Sequence, residues 1–482
     1  MRPLALLLFL MILCSAIPRA AGQETASGHF QSAIDQYRAG NLDSAISELN
    51  AALQLTPDDP LVLSWLGFLY MKQGKADEAL PILEKGVSIR QDSHDAYNNL
   101  GNAYLAKGRV SDAISAYEKA VSIKPEAGGT RYNLANLYLR ENRVDDAIEQ
   151  YSRALESVPD DPNILNNLGY AYYLKSDWEH SADAYQRAIG LVPQDPTLFL
   201  NLGIVLSRQG IADKAIESLE KAQALDPSSY VAKIALGEAY SAENATEEAI
   251  AQFSAAAEIK PGEFAPHYNL AVLHARGGDY QRAVEETNKA LEIRPNDPNV
   301  VNNLGWVYFT QGKIADAIAQ FQKAIALNSD FAVAHSNLAI AYQNQSKPDL
   351  AASEWREVQR INPESTTAAI SLGNMQLAAG NLEEAAVEYG KAISVDPANP
   401  HALNGLGLVA ERAGKLDEAI SHYAKALAAN PGFAVGYNNM GVAYEKQGNR
   451  EKAISSYRKA LEIDPGYKDA QTNLSRLTPQ PK

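Results

Sequence analysis

His267 and His274 stand seven residues apart, His335 lies further along, and three acidic pairs punctuate the chain: Asp145-Asp146, Glu247-Glu248 and Glu383-Glu384. Two imidazoles two helical turns apart could touch one metal ion only loosely, since paired-histidine zinc sites place their rings one turn apart. The expectation is that these rings stand where aromatic residues stand elsewhere. Close carboxylate pairs are the equipment of general acid–base catalysis. Here each pair opens a helix-patterned segment, where negative charge complements the helix dipole and favours solubility. The sequence has no glycine-rich phosphate loop, no His-Glu-x-x-His and no nucleophile elbow. These observations point away from an enzyme and imply neither a metal nor a cofactor.

One polar residue recurs too regularly for chance. Asparagine occupies Asn99, Asn133, Asn167, Asn201, Asn269, Asn303, Asn337 and Asn439, with Asn473 beyond, always at multiples of 34 residues. Asparagine is a mediocre helix former, so its repeated use inside a helical pattern needs a reason. Its amide carries donors and an acceptor. A row of amides can grip the backbone of an extended peptide without reading its sequence. The same row can bond to neighbouring helices and serve packing, and both readings stand. The row is interrupted at Trp65, Ala235, Ser371 and Gly405. Two aromatic pairs, Tyr170 with Tyr173 and Trp306 with Phe309, lie one helical turn apart. They suit either partner anchoring or packing on the adjacent helix.

The elements that position these residues follow from the same period. Stepping by 34 from Pro57 to Pro465, eleven of thirteen positions are proline. The register of Ala45 is alanine except at Ser181, and the register of Leu66 is leucine except at Met440. Within a period the apolar residues fall in two blocks at helical spacing, so each unit reads as two amphipathic helices, A and B. In residues 94–127, Tyr97, Leu100, Gly101 and Tyr104 share one face of helix A. Ala113, Ile114, Tyr117, Ala120 and Val121 share one face of helix B. Gly101 and Ala113 are small where the helices cross closely. Gly108 suits a left-handed C-cap, and Pro125 ends helix B. Asp-Pro or Asn-Pro at residues 59, 161, 195, 297 and 399 places an N-cap before a proline at the first helical position.

The Leu-Gly, Tyr, Ala, aromatic, Ala and Pro pattern over 34 residues resembles the tetratricopeptide repeat. The resemblance covers almost all of the chain after its first residues. It implies an all-α, right-handed superhelical α-solenoid of about 13 tandem helix-turn-helix repeats, from 26–59 to 434–467, with helix A lining the concave face. The asparagine row resembles the ladder of the O-linked N-acetylglucosamine transferase superhelix, which implies a grip on extended polypeptide. Residues 468–482 read as a capping helix and tail. Some units depart from the pattern: the first has Ser32-Ala33 for Leu-Gly, and Gln376 and Ala410 replace the tyrosine of helix A. No unit has the lysine that the clamp for acidic chaperone tails requires.

The first residues, MRPLALLLFLMILCSAIPRAAGQE, combine Arg2, an apolar run from Leu4 to Leu13, and small residues at Ala20 and Gly22. This is the form of a signal peptide, 1–22, cleaved before Gln23. The run is too short for a membrane span, and nothing later is long enough. Cys14, the single cysteine, follows Leu13 rather than the small residue a lipoprotein signal needs. Export to the periplasm or exterior is therefore expected, without lipid anchoring. A net charge of −15 argues against nucleic acid and anionic lipid as partners. Together these expectations describe a non-enzymatic scaffold that binds an extended peptide or protein. The alternative is a non-catalytic subunit that presents substrates to a glycosyltransferase or to a cell-envelope or secretion complex.

Overall fold

The computed structural model describes residues 25–478, so the expected signal segment, Cys14 and the last four residues lie outside the described residues. The described residues form twenty-seven helices and no strand, from α1 (Ala26–Arg38) to α27 (Lys468–Leu477). Numbered in chain order, α5 (His94–Ala106) and α6 (Val110–Ile123) recur as α17 (Pro298–Thr310) and α18 (Ile314–Leu327). The chain is an all-α solenoid of helix-turn-helix units. It falls into two compact units, one ending at Asn244 and one beginning at Ala245.

Local chemistry sets the helix ends. The Asp59 carboxylate accepts from the backbone N–H groups of Leu61 and Val62, and Pro60 stands first in its helix. Asp161, Asp195, Asp297 and Asn399 cap their helices in the same way. Each A-to-B turn contains one residue at positive φ. Gly108 fills this place at +71°, and Asn142, Ser176, Asn244 and Ser346 fill it without being glycine. A β-carbon is disfavoured there, which is why glycine predominates.

The core lies between the two helices of a repeat. Tyr117, Tyr151, Tyr185, Tyr389, Tyr423 and Tyr457 are fully buried at one register of helix B, joined there by Phe253 and Phe321. Each tyrosine ring lies under its partner helix A. A β-carbon at Gly101 would sit 2.6 Å from the Tyr117 ring, and one at Gly441 would sit 2.5 Å from that of Tyr457. The small residue of helix A is thus explained by the ring opposite it. In most repeats a ring and a small residue interlock in this way.

Within each compact unit most odd-numbered helices pack on the odd-numbered helix of a neighbouring repeat. In the first unit α7 (Gly128–Arg140) meets α9 (Pro162–Leu174), and α9 meets α11 (Pro196–Gln209). In the second, α15 (Phe264–Arg276) meets α17, and α17 meets α19 (Ala332–Asn344). No pair of even-numbered helices packs comparably among the described residues. Convergence of the A helices and divergence of the B helices makes the A row the inner face within each unit.

Candidate peptide-binding surface

The recurrent asparagines all lie half-buried on helix A, but they divide into two groups. Asn201, Asn337, Asn439 and Asn473 each donate to the amide oxygen of an asparagine 35 residues earlier. Their acceptors are Asn166 at 3.3 Å, Asn302 at 2.9 Å, Asn404 at 3.0 Å and Asn438 at 3.0 Å. Asn167 donates to Asn136 at 2.9 Å and accepts from Asn166 at 3.1 Å. The buried Tyr151 hydroxyl donates to the same Asn136 oxygen. A relay therefore runs from Tyr151 through Asn136, Asn167 and Asn166 to Asn201, across three repeats.

The second group is Asn99, Asn133, Asn269 and Asn303. Among the described residues their side chains make no protein hydrogen bond. Three of them lack an asparagine at the acceptor register, which holds Ser64 for Asn99, Ile234 for Asn269 and Tyr268 for Asn303. For Asn133 the acceptor, Asn98, already takes the Thr130 hydroxyl at 3.0 Å. These amides keep their hydrogen-bonding capacity for solvent or a ligand. The row thus combines inter-repeat rungs with four amides whose groups are open.

The paired aromatics stack within their own helices. Tyr170 and Tyr173 are 6.4 Å apart at 12°, and Trp306 and Phe309 are 5.4 Å apart at 20°. Tyr170 remains 47% exposed and Trp306 41% exposed. The second ring of one pair is anchored, because Tyr173 packs edge-on against Trp178 at 5.3 Å. Each pair thus presents an exposed ring supported from behind, the geometry of a partner anchor. Trp306 also borders a cleft of about 330 Å³ between α15 and α17, with Tyr268, Ala271, Val272, Thr287 and Asn303 in its walls.

The histidines have structural partners. His267 places Nδ1 2.6 Å from Glu286 and Nε2 3.1 Å from the Pro261 carbonyl. His335 repeats this with Glu354 at 2.6 Å and the Ser329 carbonyl at 3.2 Å. Arg131 does the same with the Pro125 carbonyl at 2.7 Å and the Gln150 amide. Each side chain ties the end of one repeat to helix B of the next. Burial pushes the Glu286 carboxyl up, but hydrogen bonds from His267 and Lys289 more than offset it and hold it below its usual value. His274 is buried on the same helix as His267. Among the described residues no group of three or more His, Cys, Asp or Glu side chains is placed to hold a metal ion. No helix there is long and apolar enough to cross a membrane.

Sequence patterning missed this latch, although its signal was present: a glutamate or glutamine follows each of these polar residues by nineteen positions. It also missed the pairing that assigns half of the asparagine row. That signal was the asparagine 35 residues before each bonded one.

Tetratricopeptide-repeat profiles match residues 132–196 and 200–264, 94–126 and 434–467, and 36–103 and 240–305. A further TPR-repeat profile matches 305–346, 373–414 and 412–448. Comparison with curated proteins returned no match. Among solved structures the chain is similar to YrrB, described as a TPR protein with an unusual peptide-binding site. Identity is 25%, covering 39% of this chain and 96% of that one, with a TM-score of 0.33. It is also similar to the Cut9–Hcn1 hetero-tetramer of APC/C at 16% identity, covering 94% and 90% of the two chains, TM-score 0.38. A tetratricopeptide repeat protein from Parabacteroides merdae matches at 18% identity over 52% and 98% of the two chains, TM-score 0.42.

Proposed function

Because the chain belongs to the tetratricopeptide-repeat family, whose repeats build protein-interaction scaffolds, we propose that it holds an extended peptide or protein segment along its A helices without catalysing a reaction. The observation that carries this reading is the set of half-buried amides without protein partners, Asn99, Asn133, Asn269 and Asn303, on the inner face of each unit. Amides held on rigid helices can pair with successive peptide groups, and many weak contacts add up along a preformed surface. The exposed rings of Tyr170 and Trp306 supply apolar contact beside them.

The test compares two variants in native extract by quantitative cross-linking mass spectrometry. One changes Asn99, Asn133, Asn269 and Asn303 to alanine; the other changes Asn167, Asn201, Asn337 and Asn439. The first should keep its helicity and lose partner cross-links to helix A. The second should lose thermal stability before it loses partners. Partners that persist in the first variant, or that attach only to helix B, would sink the proposal. A stable stoichiometric partner with glycosyltransferase or envelope-assembly activity would instead favour a substrate-presenting subunit.

We also propose that the chain is exported, on the strength of the Arg2, Leu4–Leu13 and Ala20-x-Gly22 pattern. N-terminal sequencing of the protein from its native cells should begin at Gln23. A sequence beginning at Met1 in a soluble cytoplasmic fraction would refute export.

A further inference from the structure

One repeat lacks the ring that fills all but a few of the others. In α16 (Tyr280–Ile293) the register held in most repeats by Tyr, Phe or Trp is Thr287, only 1% exposed, with its hydroxyl bonded back to the Ala283 carbonyl at 2.6 Å. Opposite it stands Ala271, where most repeats have glycine. A methyl and a small hydroxyl do not occupy the volume of a phenol ring. The missing volume opens onto the inner face as the cleft beside Trp306, walled by Tyr268, Val272 and Val307. Where Leu219 stands at this register it closes on its glycine, since a β-carbon at Gly203 would sit 2.5 Å from it.

The cleft has directional polarity. Its single charged wall residue is Arg276, at the last position of α15. Arg276 is exposed and makes no ion pair among the described residues, in a chain whose net charge is −15. Asn303, one of the amides without a protein partner, lies in the same wall. Apolar and aromatic walls, an open amide and one free cation match a ligand with a ring, a peptide group and a carboxylate.

We propose that this cleft is an anchor site for an extended peptide in which an aromatic residue is followed by an acidic one. The ring occupies the volume vacated at Thr287 and packs on Trp306. The peptide group meets Asn303, and the carboxylate pairs with Arg276. This assignment rests on the scaffold reading and names the class of sequence that this part of the surface prefers.

The test is fluorescence anisotropy with three labelled peptides on one Gly-Ser frame, carrying Phe-Asp, Ala-Asp or Phe-Lys at the centre. On the purified protein the Phe-Asp peptide should bind about tenfold more tightly than Ala-Asp and about fivefold more tightly than Phe-Lys. Thr287→Phe restores the ring that other repeats carry and should erase the preference for Phe over Ala. Arg276→Gln should make Phe-Asp and Phe-Lys equivalent. If Thr287→Phe does not fold, Ala275→Leu blocks the same cleft from α15. Equal binding of all three peptides, a Phe preference that survives a blocked cleft, or no detectable binding of Phe-Asp would each overturn the proposal. An Asn99/Asn133/Asn269→Ala variant separates the two readings. If it weakens three peptides that bind alike, the scaffold reading stands and the anchor falls. If the Phe preference survives in it, the anchor stands without the open amides elsewhere.

Discussion

Tyr151→Ala is expected to destabilise the protein by about 4 kcal/mol, the range for removing a fully buried aromatic ring that the surroundings cannot refill. The Tyr151 ring is wholly buried between its own helix and helix A, and its hydroxyl donates to Asn136. Burial pushes its pKa up, so the hydroxyl stays a donor at any ordinary pH. Tyr151→Phe keeps the ring and should cost only about 1 kcal/mol, because the Asn136 oxygen retains its bond from Asn167. A solenoid is held by nearest-neighbour contacts, so the alanine variant should show an early partial transition in urea followed by one close to wild type. A loss below 1 kcal/mol, or one spread evenly over the whole unfolding curve, would contradict the assignment of this ring as the centre of its repeat.

Gly407→Val should destabilise by about 3 kcal/mol through overpacking. A β-carbon at Gly407 would lie 2.4 Å from the Tyr423 ring, and valine adds two further methyl groups. Alanine is a milder case. Ala135 holds the same register opposite Tyr151, and both are fully buried, so a small backbone shift accommodates one methyl group. Gly407→Ala should therefore cost no more than about 1.5 kcal/mol. The control reverses the sign. Gly390, inside the helix Leu382–Val395, has nothing within 4 Å of its notional β-carbon. Gly390→Ala should stabilise by roughly 0.5 to 1 kcal/mol by relieving the entropy that glycine loses in a helix. Urea titrations of the three variants decide it. If Gly407→Val proves neutral, the ring does not abut the glycine.

The repeat was legible because its signals are local and reinforce one another. Asp-Pro marks where helix A begins, glycine marks its end, and the spacing of Leu100, Gly101, Ala113 and Tyr117 states which faces meet. The helices appear at those positions. The cause of the small residue at Gly101 was only half visible. Close crossing of the helices was expected, whereas the contact is with the Tyr117 ring sixteen residues on. The surface was less legible, because a side chain at a given register has two choices of partner. Asn201 and Asn303 look alike in sequence. Asn201 spends a donor on Asn166, and Asn303 faces Tyr268 and does not. His267 was expected to stand in for an aromatic ring, whereas it is a buried polar group at a register that holds Arg131 and Lys233 in other repeats. Its bonds to Glu286 and the Pro261 carbonyl depend on the following helix and on the turn before its own, and could not be read from its own helix.

The asparagine rungs have a consequence for how such a chain can change in length. At four joints the same plug meets the same socket: an amide at the sixth place of one repeat enters the carbonyl at the fifth place of the repeat before it. Couplings of a single gauge are interchangeable. A module duplicated or excised between two such joints finds a matching connector on both sides, so these are the points at which the array can lengthen or shorten by whole repeats without a newly invented interface.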